Sequence, residues 1–378
     1  MYLHIMPDEK IINRTIQFFE KVHPNQNHFI ILLPKYRTVC KSVDIEANIN
    51  IRVVTSNSKS LDAFVDNITH YESVIVHYLS LEAANVINRI THPNIYWIEW
   101  GGDMYNSFLR RKGFRLYHNE KEVALLKNPH IPYLFQKVFR FFREYSSFRS
   151  RYEAVKKVKY FVPDSMEDEY SLFIKYYPEF SHLKYREFFY YPIQEIVGES
   201  NWERRANGPN IFVGNSASET NNHLEIFSII ENVVSDRKVV VPLSYGSSSK
   251  YVNYICEKGN KILKNQFIPI CSFMSLSEYN ELFYSASHFI YGNYRQEAVG
   301  NILFALFIGG KVYLHKTNPL YKFYKRIGIV IFAIEDINAV VINQPLNDSD
   351  YINNRKIIQK MYSSERLINL IKTSFLND

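Results

Sequence analysis

The densest chemistry in the chain is the run Trp97-Ile98-Glu99-Trp100-Gly101-Gly102-Asp103-Met104-Tyr105. A strand-like segment, Asn94–Trp100, ends on two glycines, which permit a sharp turn and the close approach of a ligand. A carboxylate follows at once. In a doubly wound fold, reactive groups project from the carboxyl ends of strands. A carboxylate there can take the proton of an attacking hydroxyl during direct displacement. Asp103 is the first candidate for that role and Glu99 the second. The plainer alternatives are that Asp103 orients a ligand or caps the following helix.

Three more clusters sit just after strand-like segments. In Val213–His223, the residues Gly214, Asn215 and Ser216 can offer N–H groups and a hydroxyl to a phosphate at a helix N-terminus. The run is neither a GxGxxG fingerprint nor a Walker loop, and an ordinary capped loop is the alternative. In Tyr291–Asn301, Arg295 can pair with a diphosphate through charge-assisted bonds. Glu297 can accept from ribose or sugar hydroxyls, and Gly300 and Asn301 complete the turn; a solvated loop is the alternative. In Val240–Gly246, Tyr245 can face a nucleotide or sit in a simple turn. On the acceptor side the candidates are Asn13, Arg14, His77 and Tyr105, with Arg14 placed to meet a phosphate. His4 and His77 lie in strand-like segments, where core histidines are commoner than ligands. No HExxH or clustered His/Asp spacing stands out, and Asp348-x-Asp350 lies in a polar tail. The expectation is a reaction without metal or cofactor.

The elements that must position these residues alternate. Strand-like runs at Tyr2–Met6, Phe29–Leu33, Ile51–Val54, Ser73–His77, Asn94–Trp100 and Tyr160–Pro163 are interleaved with helical patterns at Arg14–Val22, Ser60–Ile68 and Leu81–Ile90. A second series begins at Asn210–Val213 and continues through Lys238–Val241, Ile268–Ile270, His288–Tyr291 and Lys311–Leu314. Its helices are His223–Val234, Lys250–Lys258, Ser275–Ser285 and Val299–Ile308, with one or two more in Asp350–Phe375. This rhythm predicts parallel sheets, and 378 residues suit two domains. Loop chemistry at Glu195–Pro209 places the boundary there, giving domains 1–197 and 198–378. The expected class is α/β: two doubly wound Rossmann-like domains facing a central cleft.

Net charge is +7, which favours anionic partners. A basic aromatic helical stretch near 132–160 interleaves Lys137, Arg140, Arg143, Arg149 and Arg151 with Phe135, Phe139, Phe141, Phe142 and Phe148. It can meet an anionic membrane surface or pack internally. No nucleic-acid signature is present, and no nucleic-acid partner is expected. The apolar runs fall short of the roughly 20 residues that cross a bilayer, and the N-terminus has no basic-then-apolar leader pattern. Cys40, Cys256 and Cys271 lack metal-site or disulfide-framework spacing. These features suit a cytoplasmic protein held peripherally on a membrane.

An ordered set of motifs carries a resemblance: Asn13-Arg14-Thr15 with Phe18-Phe19, Trp100-Gly101-Gly102-Asp103 with Tyr105, Val213-Gly214-Asn215-Ser216 with Asn221 and His223, Lys238-Val239-Val240-Val241-Pro242 with Tyr245, and Asn318-Pro319. Together they resemble the bacterial 4-acetamido-4,6-dideoxygalactosyltransferases, glycosyltransferase family 56. The resemblance implies a GT-B fold and transfer of N-acetylfucosamine or a related sugar, with inversion. The donor would be a TDP- or UDP-linked sugar and the acceptor a lipid-linked or other glycan, as in enterobacterial common antigen assembly on the inner face of the cytoplasmic membrane. It also strengthens Asp103 and Gly214–Ser216 as site residues. The alternative is a catalytically silent nucleotide- or sugar-binding protein of the same fold.

Overall fold

The computed structural model describes residues 1–48, 50–56, 59–127, 130–164 and 166–375; the side chains of Ser60, Leu125 and Arg143 lie outside what is described. The chain forms two compact units. The first comprises Met1–Phe114, Phe139–Pro192 and Ser364–Asp378, and the second Arg115–Val138 and Ile193–Ser363.

The first unit is built on seven parallel strands: β1 (Tyr2–Met6), β2 (Asn27–Leu33), β3 (Ile51–Thr55), β4 (Ser73–His77), β5 (Ile95–Ile98), β6 (Tyr160–Val162) and β7 (Lys184–Tyr185). Their order is β3-β2-β1-β4-β5-β6-β7. Strands β1, β4 and β5 are buried along their whole length. That explains why they read as continuous apolar runs and not as alternating ones. Helix Ile11–Val22 turns Ile12, Ile16, Phe18 and Phe19 inward, the spacing of a one-sided helix. The chain's last helix, Ser364–Ser374, belongs to this unit; Phe375, just beyond it, packs against Phe19, Tyr96 and Phe188.

The second unit carries six parallel strands: β8 (Asn210–Val213), β9 (Val239–Pro242), β10 (Phe267–Ile270), β11 (Ala286–Tyr291), β12 (Lys311–Leu314) and β13 (Phe332–Ala333). Their order is β10-β9-β8-β11-β12-β13. Ile211, Val213, Val239, Val241 and Ile290 form its core with Ile226, Phe227 and Ile255. Helix Leu276–Tyr284 begins with a full capping box between Ser275 and Glu278. In each sheet the chain winds outward from the centre in both directions. The reversal falls between β1 and β4 in the first unit and between β8 and β11 in the second, where doubly wound folds bind ligands at the strands' carboxyl ends.

Candidate active site

The loops after β8 and β11 leave the centre of the second sheet side by side. Gly292 ends β11 so close to the neighbouring loop that a Cβ there would fall 2.4 Å from the Asn221 carbonyl oxygen, so this approach requires glycine. Gly214, in the left-handed region at φ 72°, turns the chain beneath Asn221 and His223. Asn221 then organises the loop: its Oδ1 accepts from the Asn215 N–H at 3.2 Å, and its Nδ2 donates to the Ser216 carbonyl at 3.1 Å. The Ala217 N–H goes to the Tyr245 carbonyl at 2.6 Å and the Ser218 N–H to Ser216 Oγ at 3.2 Å. The N–H groups of Gly214, Asn215, Ala217 and Ser218 are therefore engaged within the unit, which also takes the Gly214 N–H to Ile290. The 214–218 loop is a braced wall more than an open cradle of donors.

A cation and a helix start lie on the other side. Arg295 Nη2 pairs with Glu297 Oε2 at 3.0 Å, the two side chains being 11% and 14% exposed. The same carboxylate oxygen accepts from Thr220 Oγ1 at 2.6 Å and Asn293 Nδ2 at 2.9 Å. Arg295 Nε is buried without a hydrogen-bond partner. Beside it begins helix Val299–Phe307, entered through Ala298 at φ 61°. The first N–H groups of a helix have no intrahelical acceptor, and nothing lies within 4 Å of where a Cβ on Gly300 would stand. Tyr245, half exposed after β9, completes the rim. Burial raises its phenol pKa. Asn301 turns away and donates to Tyr279. Thus Gly214, Asn215, Ser216, Arg295, Glu297 and Gly300 fall on the two converging loops and the helix start.

Two supports were missed in the sequence. Asn318 donates to the carbonyls of Asn293 and Arg295 at 2.8 and 2.9 Å while its Oδ1 caps helix Pro319–Arg326; an Asn before a Pro is the available signal. Glu225 receives Tyr294 Oη at 2.7 Å and His118 Nδ1 at 2.8 Å, and Tyr294 stacks on His315 at 4.4 Å. Burial pushes the Glu225 carboxyl up, but the bonds from His315 and Tyr294 outweigh it and hold the pKa below the ordinary value. No local motif announces this cluster, because its members are far apart in sequence.

In the first unit, Asp103 is 1% exposed. Its Oδ2 accepts from the Leu79 N–H at 2.8 Å and Trp97 Nε1 at 2.7 Å, and its Oδ1 from the Trp100 N–H at 3.0 Å. Burial raises its pKa despite these bonds. The carboxylate ties the loop after β4 to the turn after β5. That turn passes through Gly101 at φ 82° into a π-helical segment, Gly102–Asn106, a form frequent at functional sites. Glu99 is also buried and accepts from the Gly101 N–H. Tyr105 is buried and donates to Glu169 at 2.7 Å. His77 is buried between His4 and Tyr190. Asn13 braces Ser42 and Asp44, and Arg14 reaches Gln17 on the helix surface. Asp8, at the end of β1, gathers the N–H groups of Lys41, Ser42 and Val43 with Arg37, a role not foreseen from the sequence.

Solved structures of similar fold include the Anabaena protein HepE in complex with UDP and glucose (TM-score 0.62, 11% identity, 98% of each chain covered). A glycosyltransferase from Rickettsia africae superposes at TM-score 0.63 with 13% identity, covering 100% of this chain and 99% of that one. Sucrose-phosphate synthase from Thermosynechococcus elongatus gives 0.59 with 10% identity, covering 98% and 97%. At these identities the likeness is one of fold, that of the GT-B glycosyltransferases. The sequence itself matches a glycosyltransferase family over residues 173–364, just over half of its length. The chain is therefore a glycosyltransferase and belongs to the family described as 4-alpha-L-fucosyltransferase, glycosyl transferase group 56.

Proposed function

We propose that this enzyme moves a sugar, N-acetylfucosamine or a related deoxy-amino sugar, from a TDP- or UDP-linked donor to a lipid-linked or other glycan acceptor, with inversion. The observation that carries the donor reading is the pairing of Arg295 Nε, buried and unpartnered, with the open start of helix Val299–Phe307. A diphosphate set there meets a guanidinium and a helix N-terminus, which together offset the charge that grows on the leaving group. Glu297 orients Arg295 and Thr220 from one oxygen. Tyr245 and Asn215 flank the nucleotide. HepE, whose crystal structures hold UDP and UDP-glucose, lends the same reading support.

On the acceptor side, Asp103 and Glu99 are the proposed carboxylates. Asp103 sets the Trp100–Gly102 turn through its three N–H bonds. The carboxylate lies beneath that turn, so the acceptor's proton reaches it through a local movement of the Gly101–Gly102 backbone that leaves the Trp100 indole in place. Burial keeps Asp103 more basic than an exposed Asp, which suits a proton acceptor near neutral pH.

Helix Tyr133–Lys157 is proposed to hold the enzyme on an anionic membrane. Phe135, Val138, Phe139, Phe142 and Tyr145 follow helical spacing and are exposed, Phe142 to 70%. An apolar stripe of this kind marks an interaction surface, and the lysines and arginines among these residues suit acidic headgroups. Among the described residues, no helix is long and apolar enough to cross a membrane.

Titration calorimetry with TDP and with UDP tests the donor assignment. One of the two is expected to bind in the micromolar range, and Arg295→Ala to weaken that binding about 10–30-fold. Equal absence of binding for both nucleotides in the unaltered protein would sink it.

A further inference from the structure

A continuous hydrogen-bond chain runs through the centre of the first sheet. Trp100 Nε1 donates to Tyr190 Oη. Tyr190 Oη lies 2.9 Å from His77 Nδ1, His77 Nε2 3.2 Å from His4 Nδ1, and His4 Nε2 3.2 Å from Asn27 Oδ1. Asn27 Nδ2 then donates to Glu20 Oε1 and the His23 carbonyl, each at 2.8 Å. His4, His77, Tyr190 and Asn27 are all buried.

Only one arrangement of protons satisfies every link. An indole N–H can only donate, so the Tyr190 oxygen accepts from it; that oxygen could accept a second bond, but the Asn27 end of the chain decides the direction, and Tyr190 gives its own proton to His77 Nδ1. Neutral His77 then carries its proton on Nε2 and donates to His4 Nδ1. His4 in turn donates from Nε2 to the Asn27 oxygen. Reversing the histidines would set a bare ring nitrogen against that oxygen. Flipping the Asn27 amide to relieve this would set its oxygen against Glu20 and the His23 carbonyl. Burial, which disfavours an imidazolium, pushes the pKa of both rings far down, in accord with two neutral rings. A buried polar chain is worth its desolvation only when wholly satisfied.

The chain ends on the one ring that reaches the surface. Trp100 is half-buried at the carboxyl end of β5, beside the Gly101 turn. Tyr190 meets it edge-on at 5.3 Å, and Tyr78, held at φ 68°, lies at 5.7 Å. We infer that Trp100 is the platform on which the acceptor's pyranose ring packs its C–H face, and that Tyr190, His77 and His4 are positioning residues that fix the indole through this chain. The inference deepens the glycan-acceptor reading and rests on it. A pyranose offers an apolar face with polar edges, the kind of ligand a rigid aromatic surface takes.

The test uses the full chain. Long-range proton–nitrogen NMR on protein labelled with 15N-histidine is expected to show Nε2 protonated and Nδ1 bare in both His4 and His77. An imidazolium, or a proton on Nδ1 in either ring, overturns the chain. Saturation-transfer NMR with octyl β-N-acetylglucosaminide as the probe is expected to show binding that Trp100→Ala abolishes and that Trp100→Phe and Tyr190→Phe, each of which breaks the indole–phenol bond, weaken about tenfold. Binding unchanged in Trp100→Ala, or no binding to the unaltered protein, overturns the platform. Tyr190→Phe is further expected to raise the acceptor KM and leave the donor KM unchanged, a split that general destabilisation would not produce. Hydrolysis of a nucleotide sugar, measured separately, reports on the transferase assignment and does not depend on Trp100.

Discussion

Replacing Arg295 by Ala removes the guanidinium proposed to hold the donor diphosphate, and the size of the effect follows from its surroundings. A hydrogen bond to a charged group contributes about 1.5–3 kcal/mol. In the free protein the same guanidinium is occupied by Glu297 at 3.0 Å, so the diphosphate gains the difference between two partners. A loss near the lower half of that range, about 1.5–2 kcal/mol, corresponds to roughly 10–30-fold weaker binding. The fold should survive, because Thr220 and Asn293 still donate to Glu297 after the substitution. The cost is then nearer a single hydrogen bond than the 3–5 kcal/mol of a stranded buried charge, and the fall in Tm should be about 2–6 °C. Calorimetry with the nucleoside diphosphate at two ionic strengths is the assay. The salt dependence of binding should flatten in Arg295→Ala, since one screened cation is gone. Glu297→Gln removes the competing charge at 3.0 Å and should raise affinity where Arg295 is present and leave it unchanged in Arg295→Ala. A Kd in Arg295→Ala within twofold of the unaltered protein, with Tm preserved, would refute the assignment.

Asp103→Asn should lower turnover by about 10²–10⁴ if the carboxylate takes the acceptor's proton, with donor affinity by calorimetry unchanged; near-normal turnover would remove it from that role. Asn318→Ala loses a helix cap and two loop carbonyl bonds and should cost about 2–3 kcal/mol, read by denaturant unfolding; a change under half a kilocalorie, roughly the noise of such data, would mean the loop is held elsewhere. His4, His223 and His288 have pKa values pushed down by burial to about 3, about 4 and about 3. The unfolded chain binds those protons near 6.5 and the folded chain does not, so stability is full above pH 6.5 and falls as pH drops towards 4. Each group removes up to about 1.4 kcal/mol per pH unit in that window; a flat profile from pH 7.5 to 5.5 would contradict the burial of all three. Phe139→Glu with Phe142→Glu should reduce sedimentation with anionic vesicles at least tenfold, each lost aromatic being worth about 1.5–3 kcal/mol, and equal binding by the double variant would exclude this helix as the anchor.

The parallel sheets were legible because the central strands are buried on both faces and read as apolar runs such as Ser73–His77 and Asn210–Val213. The two-residue strands β7 and β13 carry too few positions for any period to show. Helix Pro319–Arg326 was missed although Asn318-Pro319 is a strong start signal, because its polar composition hides its apolar side. The positions of the loops after β8 and β11, proposed to hold the donor, followed from strand–helix junctions alone. Their bracing did not: the bonds Asn318–Arg295, Tyr294–Glu225 and Thr220–Glu297 span 23, 69 and 77 positions. No spacing rule links residues that only the wound sheet brings together.

The acidic residues show where sequence reading stops for a physical reason. Asp8 after β1 and Asp103 after β5 both stand at carboxyl ends of central strands, where a reactive carboxylate is expected. Both collect N–H groups from a second loop, Asp8 from Lys41, Ser42 and Val43 and Asp103 from Leu79, to which Asp103 adds Trp100 of its own turn. Their titration nonetheless differs in sign. Burial raises both, but at Asp8 the bonds from Lys41, Cys40, Ser42 and Val43 outweigh it and the pKa falls, while at Asp103 burial prevails and the pKa rises. The first is therefore committed to staying ionised as a loop pin. The second sits beneath a glycine turn and is more ready to take a proton. A motif of strand, turn and acid is the same for both in sequence; the balance between burial and converging donors sets the opposite directions of the two shifts, and part of that balance comes from residues as far away as Leu79 and Val43.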